Sequence, residues 1–324
     1  MHFLKKHWFF IGMAGVGVAA FMAPALGEWV RRWRVVNGAI FAAFLIVGLT
    51  LETRHLFLQA RQIRPLAAAV VSSLMLMPVM TWFLTGFVFG AESDFAVGAT
   101  IIAVAPVTVA SGTVMTALAL GNVALSLLIC VVCNVLALLT IPVLLPWLLG
   151  FGDAIALPVG SMFSSLALIV FLPVLIGQAL RPVLSRRLEP HRKALSVFSQ
   201  CVVLLIIFNA VSAAADRIGA AGAALAGLFV FMAALRLMFL GMNYGFARGL
   251  NLDDGSISAF TIHVSQKTLT VSYVIWAGYF SDRYPLAMLP GIFYHLTQMI
   301  VDTFVARAFR RRAERRTSKM AARV

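Results

Sequence analysis

Long apolar stretches separated by short polar segments run through the whole chain, with none of the period-two alternation of a half-buried strand. Stretches that are apolar on nearly every face suit helices in lipid, where each backbone N–H and C=O must find its partner inside the segment. The pattern predicts ten such helices, at 7–26, 35–51, 66–89, 95–120, 122–149, 157–180, 194–214, 221–247, 256–280 and 286–308. The first has features of a secretory signal peptide: Lys5 and Lys6, an apolar core from Trp8, then Ala23-Pro24-Ala25. Its long apolar core, and the even, symmetric set it completes, predict a retained helix. Gly-rich regions at 38–48 and 219–227 are expected to serve close helix packing.

The ten stretches divide at 151–157 into a first repeat, 1–150, and a second, 157–309, followed by a basic tail at 310–324. Each repeat holds five stretches, an odd number, so a duplicated unit is inverted in the membrane. In each, the fourth stretch is interrupted. The first interruption reads Ala105-Pro106-Val107-Thr108-Val109-Ala110-Ser111-Gly112-Thr113, and the second Thr261-Ile262-His263-Val264-Ser265-Gln266-Lys267-Thr268. A helix unwound in hydrocarbon costs several kcal/mol for each unpaired backbone group, so it persists only facing protein, water, ions or substrate. Breaks at corresponding positions of two halves point to the binding site of a secondary transporter. A proline kink with back-bonded hydroxyls explains one such break, but not two in register.

Composition agrees. The chain is 61% hydrophobic and 12% charged, with mean hydropathy +0.95, against about 25% charged and about 45–50% apolar in soluble domains. That excludes a soluble, disordered or disulfide-scaffold protein. The net charge of +14 is explained by topology rather than nucleic acid, because the basic residues lie in short runs between apolar stretches. With the N-terminus inside, nineteen Lys and Arg fall on inner segments and five on outer ones, three of the five being Arg31, Arg32 and Arg34. Both termini are therefore expected in the cytoplasm and the protein in the cell's inner (plasma) membrane, with the tail on anionic lipid head groups. Cys130, Cys133 and Cys201 lie in apolar stretches and read as packing residues. No nucleotide, haem or hydrolase motif occurs, so no cofactor and no enzyme activity are expected.

Two basic residues remain inside predicted helices, Arg236 and Lys267. A lysine at the bilayer centre costs at least about 2.5–3.5 kcal/mol on insertion scales. Lys267 has three readings: partner of an anionic substrate, titrating group for proton coupling, or structural ammonium held by unwound carbonyls. Asp302 is the carboxylate well inside a predicted helix, and a buried pair with Arg236 is expected, most simply as a structural one. His263 is a proton relay or a neutral hydrogen-bonded ring. Asn134, Asn209, Asn243, Gln298 and His295 are expected to bond between helices.

The segment from Pro106 to Thr116, with Gly121-Asn122-Val123-Ala124-Leu125-Ser126, resembles the first crossover of the bile acid:sodium symporter superfamily. Ser265-Gln266-Lys267-Thr268-Leu269 resembles the second crossover of its SBF-like branch, related to solute carrier family 10 member 7. Residues 45–51 with Glu52, and Tyr294-His295 through Asp302, fit the same branch. The resemblance implies an all-α membrane fold of ten helices in two inverted repeats. Helices 1, 2, 6 and 7 would form a panel, the others a core with crossed broken helices 4 and 9, and access would alternate around a midplane substrate site. It also implies sodium ligation by Ser111, Thr113 and Ser126, although Cys130 stands where a further hydroxyl is usual and Gly112-Thr113 replaces the usual Asn. The acidic residue of the second crossover is absent, replaced by a run with His263, Gln266 and Lys267. Two sodium ions beside an ammonium with no carboxylate are electrostatically unfavourable. The expected function is secondary active, symporter-like transport of a small organic anion; the coupling ion, H+ or Na+, is left open, with sodium disfavoured. The alternative is a non-transporting regulator or sensor of ion or envelope homeostasis. The expected site is Thr108, Ser111, Thr113, Ser126, His263, Ser265, Gln266, Lys267 and Thr268, with the pair Arg236 and Asp302. Substrate identity and oligomeric state are not legible.

Overall fold

The computed structural model describes residues 2–51, 62–150 and 158–321. Among these, every regular element is helical. Helix α1 (His2–Met22) meets α2 (Pro24–Arg32) at 96° around Ala23, and α3 spans Val35–Thr50. Helix α4 (Ile63–Phe89) contains a π turn at Ser72–Leu76. Next come α5 (Asp94–Val104), α6 (Ala110–Leu118) and α7 (Val123–Leu149). Helix α8 covers 159–188 with a second π turn at Ala167–Phe171, and α9 covers Arg192–Gly249. The last three are α10 (Asp254–Val264), α11 (Leu269–Tyr279) and α12 (Leu289–Ala321). By length and apolarity Ile63–Phe89, Val123–Leu149 and Val159–Gly249 each suffice to cross a bilayer, and α1 with α2 makes a bent fourth.

Local chemistry sets several boundaries. Ser93, Asn122 and Asp253 cap α5, α7 and α10, each accepting a backbone N–H at 3.0–3.1 Å. Helix α5 stops at Ala105 because the following Pro106 disfavours a helical residue before it. In the first π turn the Met77 N–H bonds Ser72 O, and Pro78 has no N–H to offer Ser73 O. The second π turn repeats this arrangement with Leu172, Ala167 and Pro173.

The expected boundaries shift in places. The first apolar stretch ends at Met22 rather than 26, because the chain turns sharply at Ala23. The unwound segments are narrower than the polar runs that announced them: 105–109 and 265–268, with Ser111 and Thr113 already in α6 and Thr261 and His263 still in α10. The seventh and eighth stretches form the two parts of α9, which meet at a kink where Gly222 leaves helical geometry (φ 43°, ψ −122°), a backbone that suits glycine. Gly219 and Gly227 have no close neighbour and do not mediate packing, whereas Gly48 does, fitting against Gly177 and the Val174 carbonyl of α8. The dividing segment 151–157 and Glu52 lie outside the described residues.

The helices pack in two groups. Helices α1, α2 and α3 pack on the first part of α9, and α8 packs along α3. Helices α4 to α7 and α10 to α12 pack with one another and with the second part of α9, for example through Phe89 against Phe231 at 5.2 Å between ring centroids. Helices α5 and α10 are buried from Ala96 to Val104 and from Ser256 to Val264. A short helix buried all round must be surrounded by protein, which puts the two breaks in the middle of the second group.

Candidate functional site

The two unwound segments lie side by side: Thr268 N–H donates to Pro106 O at 2.9 Å. Four helix ends therefore converge, the C-termini of α5 and α10 and the N-termini of α6 and α11. Free carbonyls make the first two partly negative, and free N–H groups make the other two partly positive.

Each C-terminal end is met by a cation from the protein. Lys267 is 1% exposed. Its ammonium donates to Ala105 O (3.0 Å), at the end of α5, and to Ser73 O (2.5 Å) and Ser73 Oγ (3.2 Å). Three protons meet three acceptors. The Ser73 carbonyl is available because Pro78 cannot complete the π turn, so a proline in α4 supplies the oxygen that holds a lysine 194 residues away. The Lys267 backbone N–H bonds Gln298 Oε1 at 2.8 Å. At the other end, Arg236 of α9 donates to Ser265 O, just past α10, and pairs with Asp302 of α12, both side chains fully buried. Tyr294 OH donates to the same Ser265 carbonyl (2.8 Å), with its ring 5.8 Å from the Arg236 guanidinium.

A polar chain links these ends. Asp302 Oδ2 accepts from Gln266 Nε2 at 2.6 Å, and Gln266 Oε1 accepts from Ser111 (3.0 Å) and from Thr108. The Thr108 and Ser111 hydroxyls are 2.7 Å apart. His263 Nε2 lies 2.8 Å from Thr108 O, and Nδ1 lies 2.5 Å from Ser126 Oγ. A carbonyl only accepts, so Nε2 carries a proton; in the neutral ring Ser126 then donates to Nδ1. The ring packs onto Gly112, where a Cβ would collide with it. Ser265 Oγ accepts from Asn243, whose amide oxygen accepts from Ser72 at 2.6 Å.

The structure thus joins Thr108, Ser111, Gln266, Ser265, Arg236 and Asp302 in one network. His263 links it to Ser126, and Lys267 stands at its edge. Thr268 takes part through its backbone. Thr113 bonds back to Val109 O (3.4 Å), and the three hydroxyls suggested as sodium ligands, Ser111, Thr113 and Ser126, each engage a different partner. Ser73 and the direct role of Tyr294 escaped the sequence reading; the signal for Ser73 was the Pro78 five residues on. Arg236 Nε, Thr261 Oγ1 and Gln298 Nε2 are buried around the crossing with no hydrogen bond inside the protein. Among the described residues no group of three His, Cys, Asp or Glu side chains gathers as a metal site. Cys130 and Cys133 are buried free thiols and Cys201 is exposed.

All-helical spans with two broken helices crossing over buried charges define a membrane transporter of the bile acid:sodium symporter type. The chain belongs to the SBF-like CPA transporter family, whose model matches residues 7–311. It is 25% identical over 316 residues to the probable sodium/metabolite cotransporter BASS4, chloroplastic, of Oryza sativa subsp. indica, covering 93% of this chain and 74% of that protein. It is 24% identical over 326 residues to sodium/bile acid cotransporter 7-B of Xenopus laevis (93% and 90% covered) and 24% over 324 residues to sodium/bile acid cotransporter 7 of Rattus norvegicus (93% and 91%).

Proposed function

We propose that this protein is a secondary active transporter of a small organic anion, working by alternating access at the crossing and needing no sodium. One observation carries the reading. Both carbonyl ends of the broken helices, where a coupling cation would be drawn, are occupied by fixed protein cations, Lys267 on Ala105 O and Arg236 on Ser265 O. The two N-terminal ends, of α6 and α11, keep their positive character. Two cations face one carboxylate, Asp302, so the crossing carries one net positive charge. That favours an anion and disfavours a second cation. Arg236 Nε and Gln298 Nε2 are buried donors with no hydrogen bond inside the protein, as a polar ligand there would require.

In this reading the chain crosses the plasma membrane ten times, as inverted repeats at 1–150 and 157–309, with both termini in the cytoplasm. The group around α1, α3 and α8 is a panel against which the crossover core moves. Two side-chain hydrogen bonds join panel to core, Tyr273 OH to Asn209 Oδ1 (2.7 Å) and Tyr279 OH with Ser165 Oγ (3.0 Å), both from α11. Alternating access would break and remake them. The basic tail continues α12 as a helix to Ala321, with Arg316 paired to Asp254 at the start of α10, and its other basic residues would rest on anionic head groups.

The test is anion uptake into proteoliposomes under imposed sodium or proton gradients. Uptake that persists without sodium and responds to a proton gradient is expected. Uptake strictly dependent on a sodium gradient, with none on a proton gradient, overturns the proposal.

A further inference from the structure

Helix α2 does not continue the path of α1. At about 1.5 Å per residue the 21 residues of α1 extend about 30 Å, with Lys5 and Lys6 at the inner edge of the layer and the apolar run from Trp8 to Met22 inside it. Beyond Met22 the chain turns by 96°, so α2 runs along the layer's edge rather than through it. Its composition suits that place, since Glu28, Arg31 and Arg32 within α2 and Arg34 just after it are too many charges for hydrocarbon.

Three faces of α2 are distinct. Gly27 and Val30 are buried. The Gly27 carbonyl accepts from Asn209 of α9 at 2.8 Å, and a Cβ on Gly27 would run into Ser212. This face fixes the helix to the protein. A second face carries Leu26, Trp29 and, one turn on, Trp33, which are 58%, 55% and 67% exposed. The remaining arc carries Arg31, Glu28 and Arg32, all exposed, with Glu28 between the two arginines. Indole rings partition to the boundary between hydrocarbon and head groups, and basic side chains above them meet lipid phosphates.

We infer that α2 is an interfacial lipid-binding helix: Leu26, Trp29 and Trp33 seat in the acyl boundary, and Arg31, Arg32 and Arg34 bind the head groups of anionic phospholipids. This accounts for the three arginines that depart from the charge asymmetry of the other loops. Three arginines against the one Glu28 leave the segment net basic, which favours anionic head groups over neutral ones. The helix pins the start of α3 at a fixed depth, because α2 passes into α3 through only Trp33 and Arg34.

The test uses the full-length protein in lipid nanodiscs containing the same mole fraction of dibrominated phosphatidylglycerol or dibrominated phosphatidylcholine. The Trp29/Trp33 emission is isolated by subtracting the Trp29→Phe/Trp33→Phe variant. Several-fold stronger quenching by the phosphatidylglycerol is expected, and it should fall to parity in Arg31→Gln/Arg32→Gln/Arg34→Gln. Equal quenching by both lipids in the native protein overturns the head-group assignment, and no quenching by either overturns the interfacial placement. If the triple variant does not insert, the native comparison and Arg32→Gln alone decide, the latter being expected to weaken the preference.

Discussion

Replacing Lys267 by Met keeps an unbranched stem of similar length and removes the ammonium. The carbonyls of Ser73 and Ala105 then lose their donor in a site closed to solvent, at about 1–3 kcal/mol each, or about 2–6 kcal/mol together. Against this, the variant no longer withdraws an ammonium from water, which returns about 2.5–3.5 kcal/mol. The balance runs from a gain of about 1.5 kcal/mol to a loss of about 3.5 kcal/mol, so the variant inserts and folds with at most a modest fall in melting temperature. The loss in function is larger. The net charge at the crossing falls from one positive to zero, and an anionic group about 6 Å away at an effective dielectric near 20 loses about 2.8 kcal/mol of attraction, roughly a hundredfold in binding. The assay is counterflow in proteoliposomes of an organic anion chosen by a thermal-shift screen of the purified protein, beside thermal unfolding in detergent. Counterflow within about twofold of native refutes the electrostatic role. A variant that cannot fold refutes the energy balance and makes Lys267 a structural pin.

The Arg236–Asp302 pair predicts the opposite ordering of effects. Arg236→Met or Asp302→Asn alone leaves an uncompensated buried group and costs about 3–5 kcal/mol in thermal unfolding, while the double variant recovers most of that stability but not counterflow. Gly112→Ala forces a methyl into the His263 ring and costs about 1–3 kcal/mol; adding His263→Ala restores the melting temperature, and failure to restore it refutes the steric explanation. At Asp253, burial pushes the carboxyl up, but hydrogen bonds from Ser256 and Gly255 outweigh it and hold the group below the usual carboxylate range. A depressed carboxyl stabilises the fold above its unfolded value near about 3.9 and loses that contribution as pH falls through the folded value. Asp253→Ala is therefore expected to cost about 1 kcal/mol at neutral pH and to converge on the native melting curve in strong acid.

The breaks of the fourth and ninth apolar stretches were legible because Pro106 and the polar run around Gln266 have no other place in lipid. Their true widths were not, since Ser111 and His263 remain helical by bonding across to Gln266 and Ser126, partners that no local pattern names. The caps at Ser93, Asn122 and Asp253 lie within three residues of the amides they hold and could be read directly. The bend at Ala23 was hidden because 7–26 stays apolar through it, and hydropathy carries no direction.

The sequence by itself determined that this is a helical membrane protein and which residues are out of place in apolar surroundings. A bilayer admits few solutions for an unpaired backbone, so hydropathy alone settles them. Only the tertiary structure decided what Lys267, Arg236 and Asp302 bond to. Their partners are carbonyls and side chains 29 to 194 residues distant, and such pairings depend on where helix ends meet in space. For Lys267 those partners are Ser73 O, Ser73 Oγ and Ala105 O, which no local pattern could name.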